Sequence, residues 1–324
     1  MKKRTQIIVI ILGISVFIGC VSKVTSTYIG RKEAKVLKKA GPMDKWVKRC
    51  DKEILDIPYA SNLPGSEYLK LDIYYNNHVD PLPIIVNIHG GGWETGDKRD
   101  SRSVYRCRYL ANNGYVVANV NYRLLPGYPV QTQIEDVMGA VIWIKENAGK
   151  YGADPKRVGV MGSSAGGQLA AMIAWASDDP FFKPTAHAKS KYDSDIGAAA
   201  LFYGVYDIEK TLKGGLFPII HPTGLSYYLK AKKGSELDKL IRKTSPKYHV
   251  TSDIPPTLFL CGDADMLKLY PQSVEFEKLL SDEGIETDIY TAKGANHSFD
   301  VDYSADYTQE AMKKTVEWFD RFVR

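Results

Sequence analysis

A serine flanked by glycines, placed between a strand-like and a helix-like segment, constrains this chain more than any other feature. Residues 162–166 read Gly-Ser-Ser-Ala-Gly, after the apolar run 157–161 and before the helix-like stretch 167–174. Glycines suit such a turn because the strand and helix backbones approach each other where a Cβ would not fit. The order of strand, sharp turn and helix is that of a nucleophile elbow, which makes Ser164 the candidate nucleophile.

A second glycine-rich turn lies upstream. The apolar strand 83–88 runs into residues 89–93, which read His-Gly-Gly-Gly-Trp. Backbone N–H groups aimed at a developing oxyanion each lower the barrier by about 3 kcal/mol in comparable sites. Since glycines let the main chain approach a substrate closely, we predict an oxyanion hole formed by the N–H groups of Gly91, Gly92 and Ala165. The alternative is a turn that only joins a strand to a helix.

The rest of the pattern predicts an α/β fold with a mostly parallel central sheet and helices on both faces. From residue 67 onward, apolar runs rich in β-branched residues alternate with helical periodicity, and 324 residues suffice for one large domain. The predicted strands are 68–74, 84–88, 115–121, 157–161, 198–203, 257–261 and 287–291. The predicted helices are 103–112, 133–147, 165–177, 273–282 and 307–322.

A long segment separates the strand ending at Tyr203 from the one starting at Thr257. An insertion there would lie over the carboxyl ends of the strands, where open α/β sheets bind ligands. We therefore predict a small cap at about residues 207–250 within a catalytic domain of residues 51–324. A surface excursion without a role in binding is the alternative.

A serine nucleophile needs a histidine base and a carboxylate that orients it, in the chain order Ser, Asp or Glu, His. Only His297 follows both Ser164 and the next carboxylates at a strand end, Asp263 and Asp265. We favour Asp265 as the acid because it lies further out in the loop, and Asp263 remains the alternative. The predicted triad is Ser164, Asp265 and His297, with no metal or cofactor.

The first twenty residues predict export. A basic start at residues 2–4 precedes an apolar core at 7–18, too short to span a bilayer comfortably but suited to a secretory signal. The core ends in Phe-Ile-Gly-Cys, which resembles a bacterial lipobox, so we expect a lipid-modified Cys20 and a protein of the cell envelope. The alternatives are secretion and an uncleaved membrane anchor.

Charge is concentrated in the N-terminal region. Residues 1–50 carry 12 Lys and Arg against 2 acidic residues, so residues 51–324 carry 31 basic and 36 acidic residues. The basic linker 21–50 suits either an anionic lipid surface or a solvated helix. The slightly acidic body gives no indication of nucleic-acid binding. Without Cys20 three cysteines remain, which argues against a disulfide framework.

Several segments together resemble the α/β-hydrolase esterase/lipase group that includes bacterial feruloyl-esterase-like and hormone-sensitive-lipase-like enzymes. The resemblance covers roughly residues 50–324 and is carried by residues 89–98, 121–126, 133–145, 151–167, 262–265 and 296–299. It implies the same triad and oxyanion hole, with Arg123 and Asp136 in a structural role such as a buried pair. One departure is the sequence 266–271 after the acid, where family members often have Val-Pro.

The resemblance implies a serine carboxylic-ester hydrolase for small acyl esters, such as acetyl or feruloyl groups on carbohydrate. An amide hydrolase on the same fold, an aryl formamidase or a peptidase, is the alternative within enzymes. A non-catalytic surface binding module is the alternative outside them. The aromatic residues Trp93, Phe202, Tyr203 and Tyr206 would line an acyl pocket or belong to the core. Oligomeric state is not encoded in any of these patterns.

Overall fold

A central eight-stranded sheet organises the fold in the computed structural model, which describes residues 34–213 and 234–324. The predicted signal segment, the start of the basic linker and the middle of the predicted cap lie outside the described residues. The strand order is β1-β2-β4-β3-β5-β6-β7-β8. The strands are β1 (Lys52–Pro58), β2 (Lys70–Tyr75), β3 (Leu82–Ile88), β4 (Val116–Val120), β5 (Ala153–Ser163), β6 (Ala198–Phe202), β7 (Thr257–Gly262) and β8 (Thr287–Ala292).

The sheet is parallel from β4 to β8, and β2 joins it antiparallel to β4 while β1 pairs antiparallel with β2. The central strands β4 and β6 are buried along their whole length, as expected of parallel strands covered on both faces. The prediction of a mostly parallel sheet is confirmed.

Helices cover both faces of the sheet. The helices of the described residues include α1 (Ser101–Asn112), α2 (Val130–Asn147), α3 (Ala165–Ala176), α6 (Tyr270–Asp282) and α7 (Asp306–Phe322), together with α4 (Ile208–Lys213) and α5 (Ser235–Thr244) in the long segment before β7. Alternate residues of β3 enter different cores because side chains of a strand alternate between faces. Ile84 and Val86 belong to the hydrophobic core that includes residues of α2, α3 and α6, whereas Ile85 belongs to the core that includes residues of α1 and α7.

The structure corrects several of the sequence-based element bounds. Strand β1 was not predicted, because an edge strand exposed at most of its positions has no continuous apolar run. Helices α2 and α6 each begin three residues earlier than predicted. The first turn of α6 contains Pro271, which fits there because the first N–H groups of a helix have no intrahelical partner.

Helices α4 and α5 lie within the predicted cap, and buried polar contacts tie their ends to the body. Gln272 accepts hydrogen bonds from the N–H groups of Tyr206 and Asp207 and donates to Thr211 Oγ1. Gln168 donates to the carbonyl of Thr244, the last residue of α5. Within residues 34–213 and 234–324, no helix is long and apolar enough to cross a membrane.

Candidate active site

Ser164 occupies the sharp turn between β5 and α3 that the sequence predicted. Its φ of 56° and ψ of −119° lie in a region that non-glycine residues rarely adopt, at a cost of about 1–3 kcal/mol. Hydrogen bonds from Ser164 N to Phe202 O (2.9 Å) and from Gln168 N to Ser164 O (3.1 Å) hold this conformation. A Cβ on Gly166 would collide with the carbonyl oxygens of Ile88 and His89, which explains the glycine there.

The three predicted triad side chains meet at the carboxyl end of the sheet. His297 Nε2 lies 3.0 Å from Ser164 Oγ, and its Nδ1 lies 2.8 Å from Asp265 Oδ2. A carboxylate only accepts hydrogen bonds, so the neutral imidazole carries its proton on Nδ1 and leaves Nε2 to accept from the serine hydroxyl. This is the tautomer that a general base for Ser164 requires.

The structure separates the two candidate acids. The Asp265 carboxylate is fully buried and also accepts a 2.7 Å hydrogen bond from the N–H of Leu267. Asp263 instead accepts from the N–H of Gly294 at 2.6 Å and forms an ion pair with the exposed Lys293. Asp265 is therefore the carboxylate in contact with the histidine, and Asp263 joins the two loops beside it.

Other residues hold the histidine loop, a role that the sequence analysis did not assign to them. Asn296 Oδ1 accepts from the N–H groups of Met266 (2.8 Å) and His297 (2.7 Å), which joins the acid loop to the base loop. The Tyr203 ring packs edge-on against the His297 ring at 4.7 Å between centroids, and its hydroxyl donates to Asp300. The position of Asn296 directly before the candidate base was the one available sequence signal.

A buried charge pair lies beneath the same loop. Arg106, from α1, donates to Ser163 Oγ at 3.1 Å and pairs with Asp300 at 3.4 Å. Both side chains are about 1% exposed. Because Asp300 follows the base and Ser163 precedes the nucleophile, this pair connects the two loops from below.

The glycine-rich turn lies directly against the elbow. A Cβ built on Gly90 would lie 2.7 Å from the Ser163 carbonyl oxygen and 3.2 Å from Ser164 Cβ. The carbonyl of Gly91 accepts from the N–H groups of Glu94 (3.2 Å) and Thr95 (3.0 Å). In a planar trans peptide the N–H points opposite to the carbonyl, so the N–H of Gly92 is directed away from these partners.

Local geometry also bears on the other two predicted oxyanion donors. Ala165 is the first residue of α3, where backbone N–H groups have no intrahelical partner. The carbonyl of Gly90 faces His89 Nδ1 at 2.8 Å, which directs the N–H of Gly91 the opposite way. The roles of Gly91, Gly92 and Ala165 as oxyanion donors remain predictions.

His89 is a neutral, buried hydrogen-bond donor. Its Nδ1 carries the proton because the facing carbonyl only accepts, and its ring stacks on Tyr122 at 4.4 Å. Burial lowers the pKa of His89 below its ordinary value. The folded protein therefore resists protonation of this ring, which the unfolded chain accepts freely.

We expect His89 to make the fold sensitive to acid. Below about pH 6.5 the unfolded chain binds a proton at this position that the folded chain does not, so the free energy of unfolding falls as pH falls, by up to about 1.4 kcal/mol per pH unit. His89→Asn keeps an amide donor for the Gly90 carbonyl and should flatten the slope by that amount between pH 5 and 6.5. Urea denaturation at a series of pH values measures it. Burial also lowers the pKa of His249, but His249 is present in both proteins. Equal slopes of the free energy of unfolding against pH in the two proteins would therefore contradict the assignment to His89.

The remaining predicted residues are structural. Arg123 and Asp136 form a buried ion pair with Nε and Oδ2 at 2.9 Å, as the resemblance implied. Of the two interpretations of the aromatic residues, the structure favours the core: each is at most 1% exposed, and the four are Trp93, Phe202, Tyr203 and Tyr206.

Comparison with known proteins finds related sequences over most of the chain. The BD-FAE family model matches residues 71–280. The esterase LipQ of Mycobacterium tuberculosis is 31% identical over 250 residues, which cover 76% of this chain and 57% of LipQ. The chain thus spans less than two thirds of the length of the first curated relatives that it matches.

Solved structures share the fold. An inhibited Esterase B from Lactobacillus rhamnosis superposes with a TM-score of 0.74 at 21% identity, covering 94% of this chain and 96% of the other. A truncated carbohydrate esterase from gut microbiota gives a TM-score of 0.68 at 20% identity, covering 86% and 99%. At such identities the likeness concerns the fold alone, and it confirms the predicted α/β-hydrolase fold.

Proposed function

Because this chain belongs to the BD-FAE family of α/β-hydrolases, we propose that it hydrolyses carboxylic esters with Ser164 as nucleophile, His297 as base and Asp265 as acid. The observation that carries the proposal is the continuous contact from Ser164 Oγ to His297 Nε2 (3.0 Å) and from His297 Nδ1 to Asp265 Oδ2 (2.8 Å). The elbow geometry of Ser164 supports it.

The proposed reaction has two steps. Ser164 Oγ attacks the acyl carbonyl carbon while its proton moves to His297 Nε2, and Asp265 stabilises the imidazolium. The oxyanion accepts hydrogen bonds from the N–H groups of Gly91, Gly92 and Ala165. His297 then protonates the leaving alcohol, which departs and leaves an acyl-serine. A water molecule, deprotonated by the same histidine, attacks the acyl carbon, and the proton returns to Ser164 as the acid is released.

The substrate class we propose is small acyl esters, including acetyl or feruloyl groups attached to carbohydrate. Support comes from two of the similar proteins, of which one is an esterase and the other a carbohydrate esterase. No metal or cofactor takes part in the proposed steps. An amide hydrolase is the second candidate, because the same triad attacks amides.

An ester and an amide with the same acyl group separate these candidates. We expect the purified chain to hydrolyse p-nitrophenyl acetate at least about a thousandfold faster, in kcat/KM, than p-nitroacetanilide, a preference of about 4 kcal/mol. Release of p-nitrophenol or p-nitroaniline is followed by absorbance. Since the nitrophenyl ester is intrinsically far more reactive than the anilide, a kcat/KM on the anilide within about a hundredfold of the ester value would already favour the amide hydrolase. Release of acetate from acetylated xylan, compared with deacetylated xylan, tests the carbohydrate ester.

We also propose that the protein is exported and attached to the cell envelope through a lipid on Cys20. The proposal rests on the basic start, the short apolar core and the lipobox-like Phe-Ile-Gly-Cys sequence. We expect the native protein in the membrane fraction to carry a radiolabelled fatty acid and Cys20→Ser to lose this label, as followed by immunoprecipitation after cell fractionation. A native protein in the membrane fraction without the label would support the uncleaved anchor instead.

A further inference from the structure

A buried glutamine connects the insertion helix α5 to the glycine-rich turn. Gln168 lies in the first turn of α3 and has no exposed surface. Its Oε1 accepts from the indole Nε1 of Trp93 at 2.9 Å, and its Nε2 donates to the carbonyl of Thr244 at 2.8 Å. The indole only donates and the carbonyl only accepts, so chemistry fixes the orientation of the amide.

Trp93 follows the predicted oxyanion donors directly in the chain. Its φ of 65° is in the left-handed region, which a bulky residue adopts only when its surroundings hold it there. Its carbonyl accepts from Leu125 N (2.9 Å) and from Gln133 Nε2 (3.0 Å). The indole bond to Gln168 fixes the side-chain end of the same residue, so Trp93 is held at both ends.

We propose that Gln168 is a positioning residue that acts through Trp93 on the oxyanion turn and couples this turn to α5. If the Trp93 indole loses its hydrogen bond to Gln168, the turn relaxes. The N–H groups of Gly91 and Gly92 then no longer point toward the oxyanion. Such donors stabilise the transition state more than the bound substrate. The proposal therefore assigns to Gln168 an effect on kcat rather than on KM.

Gln168→Met tests this role because methionine is similar in length and lacks both polar groups of the amide. We expect kcat on p-nitrophenyl acetate to fall about tenfold or more, while KM stays within about twofold of the original value. Complete removal of an oxyanion donor costs about a hundredfold or more in kcat, and a displaced donor should lose part of that. Trp93→Phe removes the other end of the same bond and should give a similar loss. In the double variant, kcat should be at most about twofold lower than in the slower single variant, since both substitutions remove the same hydrogen bond.

Gln272→Met is the matched control. Gln272 is also buried and also ties the insertion to the body, but its hydrogen-bond partners lie at residues 206–211. The variant Gln272→Met should lower the melting temperature about as much as Gln168→Met, while its kcat stays within about twofold of that of the unchanged protein. Equal losses of kcat in both variants, or additive losses in the Trp93→Phe and Gln168→Met double variant, would overturn the proposal.

Hydrogen exchange gives a readout that needs no turnover. The amides of Thr95 and Leu125 donate to the carbonyls of Gly91 and Trp93, so their exchange reports the order of the turn. Gln168→Met should speed exchange at both amides by about tenfold or more, and Gln272→Met should not. The kinetic measurements rest on the proposed function. The hydrogen-exchange measurements decide the role of Gln168 even if no ester is cleaved.

Discussion

Replacing Ser164 with alanine is expected to lower kcat on p-nitrophenyl acetate by at least about a thousandfold. Only the residual catalysis of binding and the oxyanion hole would remain, because no other group forms the acyl-enzyme. KM should change little, since the lost hydroxyl makes its bond to the acyl carbon after binding. Steady-state kinetics measure the loss, and trapping of a labelled acyl group on the intact protein detects the intermediate directly.

Ser163→Ala is the matched control, because it makes the same chemical change one residue away. The Ser163 hydroxyl faces Arg106 rather than His297, so its loss should leave kcat within about tenfold and lower stability by about 1–3 kcal/mol for the buried donor left unpaired. A thousandfold loss in Ser163→Ala would mean that the elbow, not the Ser164 hydroxyl, had been damaged. An unchanged rate in Ser164→Ala would refute the proposed nucleophile.

The sequence was most informative where backbone geometry restricts the choice of residue. The glycines at 162 and 166 indicated the elbow because strand and helix approach too closely for a side chain, and the chain order of Ser, Asp and His selected His297. The same kind of restriction indicated the turn at 89–93. Patterns of this type are local, so one chain without relatives sufficed to predict them.

Contacts between distant segments could not be predicted in this way. Gln168 looks like an ordinary helical residue until the fold brings Trp93 and Thr244 to the two ends of its amide. Arg106 and Asp300 are almost 200 positions apart in sequence and meet only because α1 and the base loop pack on the same face of the sheet. Such pairs leave no periodicity in a single sequence.

The choice between Asp263 and Asp265 shows the same limit at short range. Both carboxylates follow one strand, and position alone favoured the outer one. In the structure, the loop after β7 turns Asp265 inward, where its carboxylate contacts His297. Asp263 instead contacts the backbone N–H of Gly294 and the side chain of Lys293. Which way each side chain points depends on the loop conformation, which the sequence pattern does not specify.

Asp265→Asn is expected to lower kcat/KM by about ten-thousandfold, the loss seen when the equivalent aspartate of a serine-protease triad is replaced by asparagine. Asparagine keeps the shape and an oxygen for the N–H of Leu267. Facing His297 Nδ1, however, its amide group donates instead of accepting. The imidazole must then carry its proton on Nε2, where it can no longer accept the proton of Ser164.

Asp263→Asn makes the same change two residues away and separates catalysis from loop stability. Its remaining oxygen still accepts from the N–H of Gly294, and the lost partner Lys293 is 81% exposed. Exposed ion pairs contribute about 0–1 kcal/mol to stability. The stability of Asp263→Asn should therefore stay close to that of the original protein, and its kcat/KM should stay within about threefold of the original value. Kinetics of both variants on p-nitrophenyl acetate, with thermal melts as the folding control, measure the contrast. If Asp263→Asn proved the more damaging of the two while both melted normally, the acid of the proposed triad would have to be reassigned to Asp263, and His297 would have to turn toward it during the reaction.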